Sequence, residues 1–531
     1  MNTSGPETDR RGLTTRRELV GAAAGGAALL AAGGVPGGFG RTAVAAAAAA
    51  RPKRGGNLRV GMLGGTSTDS LDAHKNVTFM DNIRVVALYD GLVELNLAGT
   101  GVNYVLAEEM IPNKTATSWT IRLRPHVTFH NGKPLTAADV IYTLRRIANP
   151  KAPLDGGQNL SQIHLNGLRA LDKLTVLVPM NAPLASFPLQ MANWYNFGIV
   201  PVGYDPQHPI GAGPFKYHSF TPGQQSVFTR YADYWQHGKP YLDQLTISDL
   251  NDETAAFNAV QSGQLDIYAN AAFTLVGEAQ RTSGLAINLS LAGEMNQFTM
   301  RCNVAPFTDV RVRQAFRLIA NRPQLAGQAY SGFAEPAFDH FGWFDPCYDA
   351  SLTRRQDIAQ AKSLLKQAGH GSGLSLQLIT ANIAAGAEQQ AVVFAQQAAA
   401  AGVKVQVRTL TPGQLYGPSY KRWTFAMDSA SYAAYLPDCA LETLGTAPYN
   451  AANFNNARYN KLYAQANSTL NHALSCEIQH EMQQIDFNEG GMIIATRNKL
   501  ADIHAASVHG LQTAALGLPA GNAPWADIWL S

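Results

Sequence analysis

A chain of 531 residues is too long for one compact core, so two or three domains are expected. Its hydrophobic share of 46% supports folding, and its charged share of 15% is low against the roughly 25% usual in globular proteins. The formal net charge is +3, and 36 basic groups face 35 acidic ones once residues 1–50 are set aside, which excludes the clustered basic excess of a nucleic-acid-binding surface.

The first 50 residues read as a targeting segment. Thr15-Arg16-Arg17-Glu18-Leu19 is a twin-arginine pattern, and a weakly apolar Ala/Gly/Leu stretch follows over residues 19–32. That stretch is too short and glycine-rich for a transmembrane span, which needs ~20 apolar residues. Ala43-Val44-Ala45 and the alanines up to Ala50 offer small-residue cleavage sites. The whole resembles a bacterial Tat export signal. No cysteine lies near the cleavage region, so a lipid anchor through an N-terminal cysteine is not expected. No later segment is apolar enough to span a membrane. The mature chain is therefore expected to be periplasmic or extracellular. Cys302, Cys347, Cys439 and Cys476 would meet an oxidising compartment; their even number allows three complete pairings, and spacing does not choose among them.

Beyond Arg51 the chain alternates strand and helix patterns. Leu58, Val60 and Met62 alternate as a strand, as do Ile121 and Leu123 within residues 119–124. The turn His130-Asn131-Gly132-Lys133-Pro134 leads to a helix from Thr136, with Thr136 and Asp139 spaced as a capping box. Val140, Leu144 and Ile147 form its buried side. Asp309 is a good N-cap for a second helix, whose stripe is Val312, Ala315, Phe316 and Ile319. Asp357 caps a third, with Ala361, Leu364, Leu365 and Ala368 inward and Gly369 in the left-handed position after it. Alternating leucines at 374–378, an Ala/Gln-rich helix to about Ala401 and alternating valines at 403–407 predict a parallel βαβ unit. Pro/Gly clusters at 206–214 and 331–346 suggest joints between domains.

Catalytic signatures are sparse. The chain has no Gly-x-Ser-x-Gly elbow, no phosphate-cradling Gly-rich string ending in Lys-Ser or Lys-Thr, and no GxGxxG after a strand. His480-Glu481 begins like a zinc helix, but Gln484 stands where the second histidine belongs. His126 and His130 lack a third ligand, and a turn-stabilising role fits them better. Aromatics are more suggestive: Trp423, Phe425, Tyr432, Tyr435, Tyr449 and Phe454 fall among small and amide residues, a mixture suited to a cleft for an amphipathic solute. The alternation of Trp423 and Phe425 also fits buried strand positions.

Ordered motifs carry a family resemblance over almost the whole mature chain. They are Gly55-Gly56-Asn57-Leu58-Arg59-Val60, Tyr89-Asp90-Gly91-Leu92-Val93, Leu106-Ala107-Glu108, and Phe129-His130-Asn131-Gly132-Lys133-Pro134-Leu135-Thr136-Ala137-Ala138-Asp139-Val140. Pro209-Ile210-Gly211-Ala212-Gly213-Pro214-Phe215, Tyr234-Trp235, Ser262-Gly263-Gln264-Leu265-Asp266, the run from Ala305 to Phe316, and Ala361-Lys362-Ser363-Leu364-Leu365 continue the order. In this the chain resembles the family 5 extracellular solute-binding proteins of peptide and nickel ABC importers.

The resemblance implies an α/β fold of the periplasmic-binding-protein type II, in its large three-lobed form. A discontinuous lobe I would comprise residues 51–90, 206–294 and 501–531. Residues 91–205 would form an inserted lobe II and residues 295–500 a lobe III, with solute held between lobes I and III. It also implies a monomeric, non-enzymatic protein without cofactor or metal, which hands a small peptide-like, sugar-like or chelate solute to a membrane permease and its ATPase. A secreted hydrolase or a sensory binding protein on the same fold is the alternative. In peptide-binding members the solute's ammonium pairs with an aspartate in a Trp-x-x-Asp stretch. Tyr432-Ala433-Ala434-Tyr435 aligns with it and puts Tyr435 at the acidic position, with Asp438 three residues on as a rival anchor. The arginine used by dipeptide binders has no counterpart in Ala381-Asn382-Ile383-Ala384-Ala385. The candidate ligand-binding set is therefore Ser67, Asn382, Trp423, Tyr432, Tyr435 and Asp438. Because an unpartnered buried ammonium is costly, a neutral or internally compensated solute is expected.

Overall fold

The computed structural model describes residues 51–531 except Val77, Pro153, Asp155, Asn193, Ala292 and the side chain of Trp194. The export-signal reading of residues 1–50 lies outside the described residues. Three sheets organise the rest. A seven-stranded sheet runs in the order Leu285–Leu289, Ala501–Ala505, Ile267–Tyr268, Asn57–Leu63, Gln244–Leu250, Gln225–Arg230, Phe215–Thr221. Its central strand pairs in parallel with Gln244–Leu250, Val60 opposite Ile247, and Leu58, Val60 and Met62 are buried as their alternation requires.

Residues between two visits of the chain to that sheet build an antiparallel four-stranded sheet, ordered Ala107–Pro112, Ser118–Leu123, Thr175–Pro179, Arg169–Ala170. Helix Ala137–Ile147 carries the capping box read from the sequence, and Val140, Leu144 and Ile147 join the core of this part. The turn before it is held by His130, whose Nε2 meets the Gly213 carbonyl at 3.0 Å while Nδ1 accepts from Gly211 N at 3.2 Å. Burial pushes the His130 pKa down to about 4, so the ring is a neutral strut.

A five-stranded sheet follows, ordered Val403–Leu410, Leu374–Ala381, Phe425–Ala430, Met295–Met300, Met492–Ile493. The first two strands are parallel and joined through helix Ala387–Ala399, the predicted βαβ unit. Asp309 caps helix Val310–Ile319 by accepting from Arg311 N at 2.8 Å, a contact worth about 1 kcal/mol. Val312, Ala315, Phe316 and Ile319 are fully buried. Arg313 and Arg317 of this helix also turn inward, donating to main-chain carbonyls of Phe307, Glu489 and Met492. They tie scaffold together.

The two Pro/Gly clusters differ in role. Residues 206–214 return the chain from the four-stranded sheet to Phe215–Thr221. Within residues 331–346, Ala334–Pro336 pairs antiparallel with Thr496–Asn498. Among the described residues no helix is long and apolar enough to cross a membrane.

Cys347 and Cys476 form a disulfide across 129 residues, leaving Cys302 and Cys439 free. Closing so long a loop removes about 5 kcal/mol of chain entropy from the unfolded state in the simplest treatment. The double substitution Cys347→Ser/Cys476→Ser is expected to lower stability by about 2–5 kcal/mol, read as a fall in the calorimetric Tm. An unchanged Tm would show that the loop is already closed by its other contacts.

Candidate functional site

Two crossings join the seven-stranded and five-stranded sheets. Leu285–Leu289 leads into Met295–Met300, and Thr496–Asn498 leads back into Ala501–Ala505. The crossings are tied together where Glu294 N donates to the Asn498 carbonyl at 3.0 Å and Asn498 N to the Glu294 carbonyl at 2.6 Å. Gly293 is required at this junction, since a Cβ there would lie 1.9 Å from the Ala515 carbonyl oxygen. Other contacts bridge the parts from the side. Tyr432 donates its hydroxyl to the Gly99 carbonyl at 3.0 Å, and Ser186 Oγ donates to Asn467 Oδ1 at 2.6 Å.

Four carboxyl groups gather near this junction: Glu294, Asp428, Asp438 and Glu442, none more than 8% exposed. Their positions follow from local structure. Asp428 lies on Phe425–Ala430 directly across from Gln297. Asp438 closes the short helix Tyr435–Asp438, and Glu442 lies in the wide turn Cys439–Thr443 that continues it, four residues on and so on the same side. Tyr195, from the segment before the four-stranded part rejoins the rest, stands close enough to Glu294 and Asp438 that their charges, after burial, push its hydroxyl pKa up.

The electrostatics of the four are alike. Burial drives Asp438 well above the usual carboxylate range. Burial, then repulsion from Asp428 and Asp438, does the same to Glu442. Burial lifts Glu294 to about 7 against one stabilising donor, Ser431 Oγ at 2.7 Å. Asp428 rises only to about 6, because Ser429 N, Tyr420 and Tyr416 all donate to it at 2.9–3.0 Å. Among the described residues no arginine or lysine pairs with any of the four. Lys421, the basic side chain beside Asp428, donates instead to the Pro448 carbonyl at 2.7 Å. Asp438 Oδ2 has no hydrogen-bond partner among the described residues. Uncompensated buried carboxyl groups are costly, and perturbed acids cluster at functional sites. The arrangement is suited to receive a cation.

The candidates read from the sequence scatter around this cluster. Asp438 is in it. Tyr432 is adjacent, with its ring packed edge-on against Phe344 at 5.1 Å and near Trp343 at 6.1 Å. Trp423 lies behind Asp428 and spends its Nε1 on the Leu415 carbonyl at 3.1 Å. Tyr435 is fully buried, its hydroxyl donating to Asp486 at 2.7 Å and its amide to Asp345 at 3.1 Å. Its hydroxyl is spent within the core, and Asp438, with one unpartnered oxygen, is the acid nearby. Ser67 is exposed, on the loop after Asn57–Leu63 and against Gly223 of a neighbouring turn. Asn382 is exposed after Leu374–Ala381, a strand that runs parallel to the Asp428 strand with Ile379 opposite Ala426, which puts Asn382 near the level of Ser429. Glu294, Asp428, Glu442 and Tyr195 are additions from the structure. The signal for one pair was present: Asp438 and Glu442 stand four apart in an otherwise apolar run. The expectation of a neutral or internally compensated solute rested on the missing acid at Tyr435.

These acids set a pH dependence. A group whose folded pKa is raised stabilises the fold below its unfolded pKa, and that contribution is lost as pH rises through the folded value. Glu294, Asp90 and Asp486, each pushed by burial to about 7, therefore lose that stability as pH rises from about 4 through about 7, with the last part, somewhat under about 1 kcal/mol each, lost above pH 6.5. His74 and His130, lowered to about 4 mainly by burial, act in the opposite sense and only below pH 6.5. The Tm of the solute-free protein is expected to fall from pH 6.5 to 8, and to fall less in Glu294→Gln. A Tm flat over that window would contradict this.

Comparison with known proteins agrees with the fold. The family described as bacterial extracellular solute-binding proteins, family 5 (middle), matches residues 101–450. The glutathione-binding protein GsiB of Pectobacterium atrosepticum is 28% identical over 440 residues, covering 79% of this chain and 84% of the relative. Two solved structures share the fold. DppA from Helicobacter pylori in complex with the peptide STSA superposes with a TM-score of 0.78 at 19% identity, covering 90% of this chain and 98% of that one. AppA from Bacillus subtilis in complex with a nonapeptide gives 0.75 at 20% identity, covering 91% and 100%. The shared fold is that of the type II periplasmic binding proteins, with the seven-stranded and five-stranded sheets joined by a paired crossing. The chain belongs to the bacterial extracellular solute-binding proteins, family 5. Members of this family are solute-binding proteins of ABC importers rather than enzymes.

Proposed function

We propose that this chain is exported and captures a small peptide-like solute by its ammonium group, then delivers it to an ABC permease and its ATPase. Its role is binding without catalysis, as a monomer. The supporting observation is Asp438, which is buried, has an unpartnered oxygen and has no basic residue paired with it among the described residues. The relatives above are named for glutathione or were solved with peptides, which are solutes that present amino groups. On this reading residues 51–90, 206–294 and 501–531 form lobe I, 91–205 lobe II and 295–500 lobe III. The lobes close by bending at the crossings near Glu294 and Asn498, which brings Tyr195 over the acids. An ammonium entering there offsets the cost of burying Asp438 ionised.

Native mass spectrometry of the protein recovered from an exporting host tests the reading. A retained species that fragments to amino-acid ions is the expected result. A retained solute without a basic nitrogen would contradict it.

A further inference from the structure

One acid beside Asp438 would suffice for a single ammonium, yet the cluster continues past it. Glu442 is more than nine-tenths buried, and no arginine or lysine pairs with it among the described residues. It is close enough to Asp438 on one side and Asp428 on the other to be repelled by both. Asp428 marks the far end. Tyr420 and Tyr416 donate to its two oxygens at 3.0 Å each, and Tyr416 is itself 41% exposed, so this end lies just beneath the surface.

A second observation points the same way. Gln297 is fully buried and neither its Oε1 nor its Nε2 has a partner among the described residues. It sits directly opposite Asp428 in an antiparallel pair, and directly opposed residues direct their side chains to one face. An orphaned amide oxygen is an acceptor held beside Asp428. A cavity of about 10 Å³ adjoins Asp428, lined also by Thr299, Tyr420, Lys421 and Trp423. That is room for one water-sized group. A primary ammonium is of that size, and a guanidinium is larger.

We infer that Asp428 and Glu442, with the Gln297 amide oxygen, form a second subsite for a primary ammonium, so that the preferred solute carries two positive charges. This rests on the reading of Asp438 as anchor for the first. The solute class is then a small peptide whose first residue bears an aminoalkyl side chain, as lysine and ornithine do. Tyr416 and Tyr420 would hold Asp428 in place and present ring faces to the incoming cation. Lys421 turns its ammonium to the Pro448 carbonyl at 2.7 Å and forms no ion pair with Asp428 among the described residues.

Calorimetric titration at pH 7.5 with three probes tests this: Lys-Ala, norleucyl-alanine and 1,5-diaminopentane. Norleucine has the lysine stem without its ammonium. Lys-Ala is expected to bind at least about ten-fold more tightly than norleucyl-alanine, which corresponds to about 1.4 kcal/mol. That ratio is expected to collapse toward one in Glu442→Gln, and Asp428→Asn provides a second variant should the first not fold. Equal affinity for the two dipeptides, or tighter binding of norleucyl-alanine, overturns the second subsite and leaves the peptide reading standing. Binding of 1,5-diaminopentane without either dipeptide supports the two-cation site and overturns the peptide reading. Binding of none of the three overturns both.

Discussion

Asp438→Asn is expected to weaken binding of an unblocked dipeptide by about 2–5 kcal/mol, roughly thirty-fold to several thousand-fold in Kd. The substitution keeps the shape of the side chain and removes the charge. In the wild-type protein the carboxylate is costly to ionise without a partner, since burial raises its pKa well above the usual range. An arriving ammonium supplies that partner, and the pair forms in a desolvated place where its attraction is strong. The amide cannot repeat this. The same substitution should leave the Tm of the solute-free protein at pH 8 unchanged or higher, because the penalty of an ionised buried acid disappears. The two readouts move in different directions, so a folding defect cannot imitate the predicted loss of affinity. Retained affinity would place the ammonium elsewhere.

Arg84→Met is expected to cost about 3–5 kcal/mol of stability, measured by urea denaturation. Arg84 is fully buried in helix Phe79–Leu88 and joins three separate pieces of the seven-stranded region. Its guanidinium donates to Asp69 at 2.6 Å, to Asp249, and to Ser226 Oγ at 3.0 Å, and it lies over the Phe220 ring. Methionine fills a similar volume but strands two buried carboxylates. Breaking such a network is far more damaging than never having built it. The triple variant Arg84→Met/Asp69→Asn/Asp249→Asn should therefore recover much of the loss. If it is no more stable than the single variant, the cost lies in packing and not in charge.

These two residues illustrate what the sequence could and could not convey. The strand ending before Asp69 is a local pattern, set by apolar alternation over a few residues. So are the caps at Thr136, Asp309 and Asp357, where a side chain satisfies an amide two or three residues away. Ordered motifs made the three-part α/β architecture legible as a resemblance. The partners of Arg84 were not legible, because Asp249 lies 165 residues away. The site suffers most from this. Asp438 becomes significant through its burial, which Tyr195 and the crossing at Glu294 help to create, and neither is near it in sequence. Tyr432 finds its hydroxyl acceptor 333 residues away at Gly99. Tyr435 shows the limit. Motif spacing put it at the anchor position, while tertiary packing gives its hydroxyl to Asp486 and leaves an acid with an unpartnered oxygen one helical turn later.

The most direct test compares an unblocked dipeptide with its N-acetylated counterpart, Lys-Ala against Nα-acetyl-Lys-Ala, by calorimetric titration of the wild-type protein. The predicted result is saturable one-to-one binding of the unblocked peptide, without turnover, and at least about a hundred-fold loss on acetylation, or roughly 2.7 kcal/mol. Equal affinity for the two, or hydrolysis of either, would contradict an ammonium-anchoring solute-binding protein.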